Sequence, residues 1–263
     1  MTRLLGRTVV STRSLGPVDR CTLDDGREVV VKRGDVAAEA AGLRWLAAAR
    51  AVRVPEVLGA DDTTLVTAAV PSGSASHEAA EEFGRSLAAL HAAGAPAFGS
   101  PPPDGPADAW IGDAPMRNDP HDGSWLDWYL ADRVQPYLRS AVDRGALSQD
   151  DVARIESASF DPGPDEPPAR LHGDLWSGNV LWSPDGAWVI DPAAHGGHRE
   201  TDLAMLALFG LPHLETVLAA YDEAAPLADG WRDRVGLHQL FPLLVHATLF
   251  GGGYGDAAVA AVR

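Results

Sequence analysis

Apolar and polar positions change their spacing several times along the chain, and each change marks an element. Residues 8–10 and 19–23 read as short strands, joined through the turn-forming Ser14-Leu15-Gly16-Pro17. Asp24-Asp25-Gly26-Arg27 predicts a tight hairpin, since Asp-Gly supplies the positive φ that such a connection requires. The β-branched run 28–32 follows and ends in Lys32, the only lysine of the chain. From 36 to 50 the spacing becomes helical, with Ala40, Leu43, Leu46 and Ala47 on one face and Glu39 in the first turns. Strand character returns at 54–58 and 64–67, around a turn at 59–62.

Pro71-Ser72-Gly73-Ser74 interrupts the pattern, so a lobe boundary is expected there, between residues 1–70 and 71–263. A helix over 77–92 is expected next, with Ser76 as N-cap, Gly94 as its stop and Ala80, Phe83, Leu87 and Leu90 as its buried stripe. His91 at its end reads as a capping or packing residue. Residues 95–123 form a long Pro-, Gly- and Asp-rich stretch, expected as an ordered loop pinned through Trp110-Ile111-Gly112 and Asn118-Asp119. Ser124 then caps a helix reaching 142 with a kink at Pro136, and a short helix covers 149–158. Beyond residue 202 helices are expected at 203–209, 213–221 and 231–250.

Between these helices lies the stretch that carries chemistry, LHGDLWSGNVLWSPDGAWVIDPAAHGGHRETD over 171–202. His172, Asp174 and Asn179 stand in the spacing H-x-D-x-x-x-x-N. A hairpin turned by Ser183-Pro184-Asp185-Gly186 follows, and Asp191 ends its second strand. That is the order of a kinase catalytic loop and its metal-binding aspartate. Phosphoryl transfer needs a group to accept the hydroxyl proton, oxygen ligands for magnesium and a cation on the phosphates. Asp174, the pair Asn179 and Asp191, and Lys32 on the third strand supply those types in that order. His172 reads as support for the loop, and resemblance to kinase-like folds implies that Asp202, at the start of the next helix, anchors its backbone. Trp176 is placed either to stack on a sugar ring or to pack against the helix from Trp125. His195 and His198 either meet the substrate or shape the loop, with His195 the candidate contact.

The formal net charge of −16 then constrains partners: without a Lys/Arg run, binding to nucleic acid or an anionic membrane is not expected. A phosphate ligand must be held by local groups and a metal. One cysteine, Cys21, excludes an internal disulfide and a cysteine-rich zinc site. No signal peptide and no apolar run of roughly 18 residues is evident, so a soluble cytoplasmic protein, monomeric by default, is expected. Asp191 is followed by Pro192, not Phe-Gly, and no A-P-E segment follows, which excludes a protein kinase.

LHGDLWSGNVLW, VIDPAAHGGHRETDLAM, EAAGLRWLAAARAVRVPEVL and LFPLLVHATLFGGGY together resemble the fructosamine kinase (ketosamine-3-kinase) family, over about residues 16–254. That family sits among kinase-like folds that include aminoglycoside and choline phosphotransferases. The resemblance implies an α+β bilobal protein-kinase-like fold, with a small β-rich N-lobe bearing one main helix and a larger helical C-lobe. It implies ATP and Mg2+ as cofactors and a ketosamine, a free glycated amine or a glycated protein, as the acceptor, phosphorylated at the sugar 3-hydroxyl and so deglycated. By position it implies Asp174 as base, Asn179 and Asp191 as magnesium ligands, and Lys32 with Glu39 as the phosphate-orienting pair. The main chain of Ala68 and Val70 would face adenine, and Gly16 is what survives of the glycine-rich loop. Ala68 stands where the family usually has an acidic hinge residue. Other readings are an aminoglycoside or choline phosphotransferase, a nucleotide-binding pseudokinase, and a metal hydrolase built on His172, Asp174, Asp191, His195 and His198.

Overall fold

The computed structural model describes residues 2–262. After a short helix α1 (Thr2–Leu5), the strands β1 (Val9–Ser14), β2 (Val18–Leu23), β3 (Glu28–Arg33), β4 (Val57–Ala60) and β5 (Thr64–Ala68) form one antiparallel sheet in the order β1-β2-β3-β5-β4. Alternation puts Cys21, Leu23, Val29, Val31 and Val66 on its buried face. Lys32 lies on the central strand, opposite Val18 of β2 and Leu65 of β5, so both its neighbours fix its direction.

Helix α2 (Ala37–Ala48) crosses the sheet and serves two cores at once. Val36, Ala40 and Leu43 pack against Leu65, while Trp45 and Leu46 join Leu87, Leu175 and Leu206 of the helical part. Trp45, not the expected Ala47, completes the apolar face; Ala47 is exposed. The tie between the two parts is therefore hydrophobic and extensive.

The rest of the chain is mostly helical. It contains α3 (His77–Ala92), α4 (Trp125–Trp128), α5 (Gln135–Asp143), α6 (Gln149–Glu156), α7 (Arg199–Leu208), α8 (Leu214–Ala224), α9 (Val235–Phe250) and α10 (Tyr254–Ala261). Ser76 caps α3 by accepting from the Ala79 amide at 3.1 Å, as its position predicts. Gly84 lets α3 and α8 touch, because a Cβ there would overlap the Val217 carbonyl. Tyr129–Val134 is a π-helical turn between α4 and α5, and Pro136 sits in the first turn of α5. The expected kink is thus a widened turn ahead of the proline, whose missing N–H is harmless at a helix start.

Residues 95–123 are more regular than a loop, because β6 (Asp108–Ile111) and β7 (Ala114–Arg117) pair as a hairpin. Arg133, fully buried in the π-turn, donates to the Arg117 carbonyl at 2.8 Å and to Asn118 Oδ1 at 2.6 Å. Burial alone lowers its pKa to about 10, and the carbonyl, the amide oxygen and the Trp128 face at 4.7 Å solvate what charge it keeps. Two further two-stranded sheets frame the motif stretch: β8 (Ala169–Leu171) with β11 (His195–Gly197), and β9 (Val180–Ser183) with β10 (Gly186–Val189). The segment around Gly73 is tied to β9, its amide donating to the Trp182 carbonyl at 2.8 Å. No helix of the described residues is long and apolar enough to cross a membrane.

Candidate active site

Backbone conformation and packing shape the loop after β8. Gly173 has φ +81°, and a Cβ at that point would overlap the Ala193 carbonyl, so glycine is demanded twice over. Leu175 is fully buried, whereas Trp176 next to it is exposed; this alternation nails the loop down at one side chain and offers the other. Gly178 lies under the Trp176 ring, where a Cβ would collide with the indole.

Asp202, at the start of α7, clamps the loop from behind. Its carboxylate accepts from the His172 amide at 2.8 Å and the Gly173 amide at 2.9 Å, and lies 3.1 Å from His91 Nε2. Burial opposes its charge, yet these donors, the His91 contact foremost, hold its pKa below the usual value. His91 in turn meets the Tyr221 hydroxyl at 2.8 Å, so this histidine is part of the support and neither a plain cap nor a ligand. His172 Nε2 donates to the Ile190 carbonyl at 2.9 Å, and its Nδ1 accepts from the Asp174 amide at 3.3 Å. That pattern requires the neutral ring, and burial keeps it neutral by lowering its pKa.

Asp174, Asn179, Asp191, Lys32 and Glu39 converge. Asn179 Nδ2 donates to the Asp174 carbonyl at 2.8 Å and to Asp174 Oδ2 at 3.0 Å, which turns Asn179 Oδ1 away from Asp174. The Ile190 amide donates to the Asn179 carbonyl at 3.0 Å, tying the loop to the strand that delivers Asp191. Asp191 itself has φ +52°, a left-handed conformation that costs a non-glycine residue about 1–3 kcal/mol. Lys32 Nζ lies 2.6 Å from Glu39 and 3.4 Å from Asp191. Burial works against the ammonium, but the two carboxylates outweigh it and raise the Lys32 pKa. Glu39 is pushed up to about 7 by burial, against the pull of Lys32 and with repulsion from Asp191. Asp174 is likewise raised to about 7, by burial first and then by Asp191 and Asp202. Three acidic groups around one ammonium leave an excess of negative charge at this point. A divalent cation with oxygen ligands fits it, and Asn179 and Asp191 could hold one.

Two clefts meet there. The larger, about 510 Å³, is lined by Lys32, Glu39, Asp174, Asn179, Asp191 and Trp176, with Trp110 and Gly112 of the β6–β7 hairpin on its far wall. The smaller, about 280 Å³, is an apolar slot under the sheet, walled by Val18, Val30, Leu43, Leu65, Leu181 and Ile190, with Ala68 and Val70 at its rim. Lys32, Glu39 and Asp191 line both. Gly16 lines neither; its φ of +90° makes the turn that brings Leu15 and Val18 to the slot. Trp176 rests edge-on against Phe209, with ring centres 5.8 Å apart, and does not reach the helix of Trp125. His195 is a correction: pairing of β11 with β8 turns it inward, and Ala193 and Ala194 line the cleft in its place. Its Nδ1 faces the Ala193 carbonyl at 2.8 Å, and burial lowers its pKa to about 3.

The hydrolase grouping does not assemble either. His172 and His195 are each committed to backbone groups, and His198 stands with Glu200 and His238 in a separate buried cluster. Sequence reasoning missed the β6–β7 hairpin with Trp110, whose Nε1 donates to Asp35 at 2.9 Å, as well as the His91–Asp202 contact. Only Trp110-Ile111-Gly112, noted as a pinning point, signalled the first of these.

The site can be compared with known proteins. The fructosamine kinase family model matches residues 32–263. A probable ketoamine kinase of Synechocystis is 36% identical over 229 residues, covering 84% of this chain and 75% of that protein. A crystal structure from Thermobifida fusca, assigned provisionally as a fructosamine-3-kinase, superposes with a TM-score of 0.89 at 49% identity, over 100% of this chain and 96% of that one. An aminoglycoside phosphotransferase solved with ADP and hygromycin B shares the fold alone, with a TM-score of 0.61 at 16% identity over 98% of this chain and 95% of its own. With its α+β bilobal kinase-like architecture and a family match over most of its length, this chain belongs to the fructosamine kinase family.

Proposed function

We propose that the chain transfers the γ-phosphoryl group of ATP to a sugar hydroxyl of a ketosamine, the 3-hydroxyl in particular. The observation that carries the reading is the position of Asp174. Its carboxylate opens onto the large cleft, is aimed by Asn179, and lies beside the Lys32–Glu39–Asp191 group where the apolar slot begins. The slot is suited to adenine, with main-chain groups at Ala68 and Val70 as its polar edge. Lys32, held by Glu39, would orient the phosphates. Magnesium, when held by Asn179 and Asp191, would spread the charge of the transferring group.

In the step itself the acceptor oxygen bonds to the γ-phosphorus, the bond to the bridging β–γ oxygen breaks, and ADP leaves. The hydroxyl proton passes to Asp174, whose raised pKa suits a group that must accept a proton near neutrality. A phosphate at C3 of a ketosamine becomes a leaving group once C1 and C2 enolise. The adduct then breaks down and frees the amine, which is deglycation. Trp176, exposed on the cleft wall, offers a face for the sugar ring.

Measuring ADP release with a fructosamine, a ribulosamine and an aminoglycoside tests this. Turnover of a ketosamine supports the reading. ATP binding without turnover of any acceptor sinks it in favour of a pseudokinase, and turnover of the aminoglycoside alone replaces the acceptor.

A further inference from the structure

Trp176 is the first member of an aromatic strip that leaves the acceptor cleft and runs over the surface of the helical part. Its ring meets Phe209 at 5.8 Å; Phe209 meets His246 at 4.9 Å and Tyr254 at 6.5 Å; and His246 meets Phe250 at 5.5 Å. The strip is open to solvent, with Trp176 and Phe209 each 37% exposed and Phe250 68%. His246 does not interrupt it with charge. Its Nδ1 donates to the Pro242 carbonyl at 2.7 Å, and burial lowers its pKa.

Beside the strip, the end of α9 also borders the cleft. Gly112, on the far wall of the cleft, lies against Leu249 in the residue pair that ends α9 with Phe250. An apolar surface of this kind, contiguous with a polar reaction site, commonly marks a binding surface. Neither catalysis nor folding accounts for Phe250, which buries little of itself.

We propose that this strip receives the substituent carried on the amine of the ketosamine, and that it selects adducts of aromatic or large apolar amines. This rests on the ketosamine reading above. With the 3-hydroxyl at Asp174 and the sugar ring against Trp176, the amine on C1 leaves the cleft, and the strip is the apolar surface continuous with Trp176. The occupant is thus the free end of the substrate itself, whether the side chain of a glycated amino acid amide or the first residues of a glycated peptide.

The test compares kcat/KM for two synthetic substrates, the fructose adducts of phenylalaninamide and of glycinamide, in the wild type and in Phe250→Ala. Phe250 is chosen because it touches no catalytic residue; Phe209 is avoided because it supports Trp176. The wild type should favour the phenylalaninamide adduct by roughly tenfold, and Phe250→Ala should cut that ratio by roughly threefold, as expected for one aromatic contact. Phe250→Tyr should restore the ratio, and a thermal melt of Phe250→Ala should match the wild type. Equal rates for the two adducts in the wild type, or an equal fall on both in Phe250→Ala, would overturn the proposal while leaving the ketosamine reading intact. If neither adduct is phosphorylated, both fall together.

Discussion

Replacing Asp174 by asparagine should make the protein more stable while removing its activity. The carboxyl stands near pKa 7 in the fold, well above the 3.8 of an exposed aspartate, chiefly because it is buried, with Asp191 and Asp202 nearby. A rise of about three pH units corresponds to about 4 kcal/mol against the ionised form. Partial solvent access and relaxation of the loop reduce that to about 2 kcal/mol. Asparagine keeps the shape and can still accept from Asn179 Nδ2, so the penalty is removed and the hydrogen bond is not.

The sign follows from proton uptake. Below about pH 4 the carboxyl is neutral in both folded and unfolded chains, and it contributes no difference. Between about 4 and 7 the folded state holds the proton that the unfolded state has released, so the wild type loses stability relative to Asp174→Asn as pH rises. Above about 7 the gap is complete. Melting curves in EDTA at pH 4.5, 6 and 8 should therefore diverge, reaching about 4–8 °C in favour of the variant at pH 8, for a chain of 263 residues. Its kcat should meanwhile fall by about 10²–10⁴-fold, the usual worth of a positioned base. A variant less stable than the wild type at pH 8, or a gap that ignores pH, would refute the electrostatic account of this site.

Three further changes probe the parts around it. Lys32→Met should leave the fold intact and lower kcat/KM for ATP by at least about 100-fold, measured by initial rates, because the half-buried cation facing the phosphates is lost. Gly173→Ala should cost about 3 kcal/mol by chemical denaturation and abolish activity, since its φ of +81° and the Ala193 carbonyl both reject a side chain. Asp202→Asn should also cost about 3 kcal/mol, because an amide N–H would be turned towards donors from His91, His172 or Gly173. Retained stability in that variant would mean the loop is held by Leu175 packing instead.

What was legible in the chain was local. The spacing of His172, Asp174, Asn179 and Asp191 lies within one loop and one hairpin, so geometry follows almost directly from order. Lys32 and Glu39 are separated only by the end of β3, a three-residue loop and the first residues of α2, so their pairing is local too. The losses are long-range. His91 meets Asp202 across 111 positions, and no pattern in α3 announces it. The β6–β7 hairpin has strands of four residues with Pro115 inside one, too short for alternation to show, and the Arg133 that secures it comes from a later element. His195 escapes a sequence reading because nearness to Asp191 along the chain says nothing about which face of β11 it occupies; pairing with Leu171 turns it into the core. Ala47 yielded to Trp45 for a related reason, since α2 must face two cores rather than one.

Phosphate should arrive at one hydroxyl of a ketosamine, the one on C3. Incubating the protein with ATP, Mg2+ and a 13C-labelled fructosamine, and locating the product phosphate by 31P–13C coupling, tests it most directly. The expected result is stoichiometric ADP with phosphorus coupled to the C3 signal, followed by slow release of the free amine, all slowed by about 10²–10⁴-fold in Asp174→Asn. Phosphate on another carbon, or ATP consumption without a phosphorylated sugar, would contradict it.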